Sequence, residues 1–120
     1  MKVAQKASGS QDRPKRIDFN AIAVGAIPSL PAVLKRVLSG GRVVGREYVA
    51  LNPTRPDRRP GSFKIRIHGA RGGCWSDFAT GERGGDVISL VAYVERITQV
   101  EAARLVARML GINLMGEHHG

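Results

Sequence analysis

The chain has 120 residues, with 19 Lys and Arg against 10 Asp and Glu, a net charge of +9 at pH 7. That length makes about one domain, and 42% hydrophobic residues suffice for a small core. The lack of a long apolar run excludes a membrane-spanning helix. The single cysteine, Cys74, excludes an internal disulfide and fits a reducing bacterial cytoplasm, while the basic excess points to polyanionic partners.

The first 16 residues, MKVAQKASGSQDRPKR, are basic with no apolar core behind them. They are read as a disordered cationic arm rather than a signal peptide. Ile17, Phe19, Ile22, Val24 and Ile27 suit only a short helix or turn, poorly bounded by Gly25 and Pro28. A clearer N-terminal helix follows. Ser29 is placed to cap it, Pro31 fits its first turn, Val33, Leu34, Val37 and Leu38 form its apolar stripe, and Gly40 and Gly41 end it. Short strands are expected at Arg42–Val44 and Glu47–Leu51, with Gly45 at the turn.

A loop rich in Pro and Arg runs from Asn52 to Gly61. In the next strand Phe63, Ile65 and Ile67 alternate with Lys64, Arg66 and His68, so one face is apolar and the other basic. The GARGG turn leads to a partner strand around Cys74–Phe78, making a hairpin. Asp86 is placed to cap a helix bearing Val87, Ile88, Leu90, Val91, Val94 and Ile97. Thr98 and Glu101 form a capping box. It opens a last helix, with Ala102, Leu105, Val106, Met109 and Leu110 on one face, that stops at Gly111. Residues 113–120 are expected to fray, leaving 17–112 as the domain.

The charge is clustered. Between Lys35 and Arg71 ten cations stand against Glu47 and Asp57, an excess of eight. Polyanion binding is the functional reading of such a patch and a solvated basic face the bland one.

The middle of the chain resembles the N-terminal zinc-binding domain of bacterial replicative DNA primases and their phage and plasmid relatives. In that family a Cys-Pro-x-His corner precedes a Pro-Ser-Phe segment; a β-hairpin then leads to a Cys-x-x-Cys corner, and a Gly-Asp step opens a helix. Here Gly45–Leu51 matches the entering strand, Asn52-Pro53-Thr54-Arg55 stands at the first corner, and Pro60-Gly61-Ser62-Phe63 matches the second segment with one residue inserted. Trp75–Gly81 stands at the second corner, and Gly85-Asp86 leads into Val87–Leu90. The resemblance spans roughly Leu30 to Gly111. It implies an α+β fold: a small antiparallel, zinc-ribbon-like sheet with an N-terminal helix and a C-terminal helical hairpin.

All four ligand positions are changed, to Asn52, Arg55, Asp77 and Thr80. Zinc needs thiolate or imidazole ligands, and an arginine at one position opposes the cation. Cys74, His68 and the tail histidines His118 and His119 do not make a substitute set. The expectation is a metal-free ribbon, in which Asp77 bridges to Arg55 with Asn52 and Thr80 as further partners.

Arg55, Arg58, Arg59, Lys64, Arg66 and Arg71 are the candidate phosphate contacts, since the guanidinium fork grips phosphate oxygens bidentately. Trp75 and Tyr48 have two uses open to them, core packing or stacking on unpaired bases; Phe63 and Phe78 are assigned to the core. The Thr80–Asp86 loop lacks the lysine and spacing of a P-loop, and its acids favour a turn and helix cap over an anion site. No pair of carboxylates has a spacing suited to acid–base work, so no catalytic residue and no cofactor are expected. The resulting expectation is a non-catalytic module that binds nucleic acid, single-stranded DNA above all, in replication or priming of a bacterial or mobile element. Its rival is a domain that docks on a primase or helicase protein without strong nucleic-acid binding.

Overall fold

A computed structural model describes residues 16–118; the basic arm before Arg16 and the last two residues, His119 included, lie outside the described residues. The fold is α+β. Helix α1 (Phe19–Ala26) is capped by Asp18, whose Oδ1 accepts from Ala21 N at 3.0 Å. It runs through a 3-10 turn (Ile27–Ser29) into α2 (Leu30–Val37). The N-terminal helix is therefore two helices. Ser29 makes no side-chain cap bond, because the chain reaches α2 already coiled and has no open helix end there to satisfy.

Five strands follow: β1 (Arg42–Val44), β2 (Glu47–Ala50), β3 (Phe63–Arg66), β4 (Trp75–Asp77) and β5 (Arg83–Gly84). They pair antiparallel in chain order, so the sheet is a meander. Period-2 alternation sends Tyr48, Ala50, Phe63, Ile65 and Trp75 inward, all buried. Tyr48 is a core residue: its hydroxyl donates to Leu38 O at 2.8 Å and ties β2 to the end of α2.

Helix α3 (Val87–Glu95) begins at a reciprocal capping box between Asp86 and Ser89. Arg96 ends it in the left-handed region, at φ 57°. The expected box of Thr98 and Glu101 opens α4 (Gln99–Leu110). The core side of α4 is alanine-rich. Ala102, Ala103, Val106 and Ala107 are buried, while Leu105, Met109 and Leu110 are only half-buried. Small side chains let α4 lie close against α1 and α3. Each large aliphatic or aromatic side chain buried in the shared core is worth about 1.5–3 kcal/mol of transfer free energy.

Two further expectations change. The segment after α4 does not fray at Asn113: it folds back, with Leu114 O accepting from Asp18 N at 2.8 Å and Ile112 bridging to His118. Phe78 is not in the core; it is 71% exposed, because alternation from buried Trp75 and Asp77 turns it outward. Among the described residues no helix is long and apolar enough to cross a membrane.

Candidate nucleic-acid interface

The outer face of the sheet is built by the register. Arg42 lies opposite Val49, Val49 opposite Lys64, Lys64 opposite Ser76, and Ser76 opposite Arg83. Directly paired residues point to the same face. One row thus crosses all five strands and carries three cations. At about 4.8 Å per strand the row is roughly 19 Å long, with Lys64 at its middle. A second row sets Glu47 opposite Arg66.

Lys64, Ser76 and Arg83 of the first row and Glu47 and Arg66 of the second line a groove of about 700 Å³ that also takes in Arg71 from the β3–β4 turn and Phe78 from the end of β4. Lys64 Nζ stands 5.8 Å from the centre of the Phe78 ring. Glu47 lies 3.9 Å from Lys64 Nζ, both side chains about a third exposed, a contact too long and too wet to neutralise the patch. Arg66 Nε is buried without a hydrogen-bond partner among the described residues.

Of the sequence-predicted contacts, Lys64, Arg66 and Arg71 come together here. Arg58 and Arg59 are exposed in the 52–62 loop and do not line the groove. The remaining two of the seven are packed into the fold, although Trp75 also contributes to the groove wall. Trp75 is 6% exposed, stacked on Tyr93 at 4.7 Å and edge-on to Phe63, with its indole N–H donating to Ser89 Oγ at 3.0 Å. Burial leaves it no open face for a base. Arg55 is turned into the fold.

There Arg55 Nε donates to Asp77 Oδ2 at 2.8 Å and Nη2 to Asp77 Oδ1 at 3.2 Å, a bidentate pair. Nη2 also reaches Ser62 Oγ at 3.0 Å, with Asp57 at 3.4 Å. The Asp77 carboxylate, fully buried, further accepts from Asn52 Nδ2 at 2.8 Å and from Ala79 N at 2.9 Å. Hydrogen bonds from Arg55 above all hold its pKa well below the usual carboxylate range, against the opposing effect of burial. Buried Asn52 extends the network to Thr54 N at 2.9 Å and to the Tyr93 hydroxyl at 2.8 Å, which in turn donates to Glu82 at 2.6 Å. The Thr80 side chain is not a partner of Asp77; its hydroxyl accepts from Glu82 N at 3.3 Å. Among the described residues no group of three or more His, Cys, Asp or Glu is placed to hold a metal ion.

The 80–86 segment is used structurally. Part of it is β5, and Asp86 Oδ1 takes Ser89 N at 2.8 Å, so the start of α3 is already capped. Sequence reading missed Arg83, on a strand of two residues, and misplaced Phe78. The outward position of Phe78 follows from continuing the Trp75–Asp77 alternation by one residue. No protein-family model matches the chain, and no curated protein matches it.

Proposed function

We propose that this protein is a non-catalytic nucleic-acid-binding module that takes single-stranded DNA along the outer face of its sheet. The observation that carries this reading is the row of Arg42, Lys64 and Arg83 across the strands, beside Arg66, Arg71 and the exposed ring of Phe78. Cations spaced across strands suit a phosphodiester backbone, and a solvent-exposed aromatic beside them offers a stacking surface for an unpaired base. The resemblance to primase zinc ribbons supplies the setting, replication or priming of a bacterial or mobile element. The hydrogen-bonded Asn52–Arg55–Asp77 cluster supports that setting as a metal-free tie at the corner.

Fluorescence anisotropy with single-stranded and duplex DNA across a salt series tests it. The expected result is a single-strand preference, with affinity falling at a log–log slope of roughly 0.7 per phosphate contacted, and a large loss in Lys64→Glu/Arg66→Glu. No measurable affinity at low salt would overturn it and leave docking on a replication protein as the reading.

A further inference from the structure

A second concave surface, which shares no residue with the sheet groove, lies between the last two turns of α4 and the 112–115 turn. It encloses about 490 Å³. Its floor is apolar, formed by Ala107, Ile112, Leu114 and Met115, while Arg16, Arg104 and Arg108 line it as well. Arg104 and Arg108 are four apart on α4 and so share one helical stripe.

The cleft is preformed. Leu114 O is held by Asp18 N at 2.8 Å, and Asn113 Oδ1 accepts from Met115 N at 2.9 Å and Glu117 N at 3.0 Å. The nearby carboxylates are already engaged: Asp18 caps α1, and Glu117 takes Asn113 Nδ2 at 3.2 Å. None of the ion pairs among the described residues uses Arg16, Arg104 or Arg108. Met115, at the floor, is 45% exposed.

We infer that this cleft docks an acidic peptide segment of a partner protein, with a bulky apolar side chain on the floor and carboxylates on the arginines. The chemistry selects that occupant. Guanidinium groups pair bidentately with carboxylates, and an apolar pocket beside them fixes the position of the peptide through one anchoring side chain. A second copy of this chain is the wrong sign, at +9. A phosphodiester chain matches the arginines but leaves Ile112, Leu114 and Met115 without a complement.

The test is anisotropy of the fluorescein-labelled peptide Asp-Asp-Asp-Asp-Phe-Leu on the full chain. Controls are the same peptide with Ser replacing Phe and Leu, and with Lys replacing Asp. The acidic apolar peptide is expected to bind, both controls to fail, and Arg104→Glu/Arg108→Glu to weaken binding at least about tenfold. Met115→Asp, at an exposed position, serves as a second variant that leaves the core untouched and is expected to weaken binding similarly. Lys64→Glu/Arg66→Glu is expected to leave peptide affinity unchanged, which separates this site from the sheet groove. Absence of binding at roughly 100 μM peptide, equal binding of the Ser-substituted peptide, or displacement by an oligothymidylate that itself loses affinity in the Arg104→Glu/Arg108→Glu variant would each overturn the inference.

Discussion

Arg55 and Asp77 are 22 residues apart in sequence, yet the Arg55 guanidinium grips both oxygens of the fully buried Asp77 carboxylate, at 2.8 and 3.2 Å. The pair ties the loop after β2 to the end of β4. Asn52 on one side and Ala79 N on the other complete the carboxylate's hydrogen bonding.

Removing the acceptor strands several donors at once. Asp77→Ala leaves Arg55, Asn52 and Ala79 N without their partner, and is expected to cost about 2–3 kcal/mol. For a domain of this size that lowers Tm by roughly 10 °C. A thermal melt followed by circular dichroism checks it, and an unchanged Tm would show that the pair contributes nothing to the fold.

The same pair sets an acid limit on stability. The folded pKa of Asp77 is depressed below its ordinary value of 3.8. Its contribution is therefore complete above that value and is lost as pH falls below it. Denaturant melts of wild type and Asp77→Asn are expected to differ by a constant amount between about pH 5 and 7. The gap should narrow progressively below about pH 4. A pH-independent gap would contradict the depressed pKa.

Gly84 is required by contact. A Cβ there would overlap Trp75 Nε1 and Ser89 Oγ, the two atoms that hydrogen-bond between sheet and α3. Gly84→Ala is expected to destabilise by about 1–3 kcal/mol and to red-shift the emission of Trp75 as its surroundings open. Urea melts monitored by tryptophan fluorescence report both quantities.

Phe78 and Trp75 separate surface use from core use. Phe78→Ala is expected to leave Tm nearly unchanged, since the ring is 71% exposed, and to weaken single-stranded DNA binding by about 1–3 kcal/mol. Trp75 emission is expected to resist iodide quenching and to change little when DNA binds. Strong quenching of Trp75 by DNA would reverse the assignment of the two rings.

Elements set by local chemistry were legible in the chain. Alternation between Phe63 and Ile67 identified β3 and its basic outer face, and the capping residues Asp86 and Thr98 marked the starts of α3 and α4. Side-chain caps and period-2 patterns act within a few residues, so they leave a direct sequence record. The proposed link of Asp77 to Arg55 was also accessible, but only through resemblance, because nothing in residue spacing brings 52–55 to 77.

Other features depended on assembly. Arg83 became part of the outer row only when β5 paired with β4, and a strand of two residues has no period to read. Trp75 was assigned to the core by the arrival of Tyr93 and Ser89 from α3. The cleft beside Arg104 and Arg108 exists because the chain after Gly111 turns back onto α1. By itself the sequence determined the α+β elements, the basic strand face and the surplus of positive charge. Only the tertiary structure decided which cations face a shared groove and which, like Arg55, are consumed inside, because those choices rest on contacts between segments far apart in the chain.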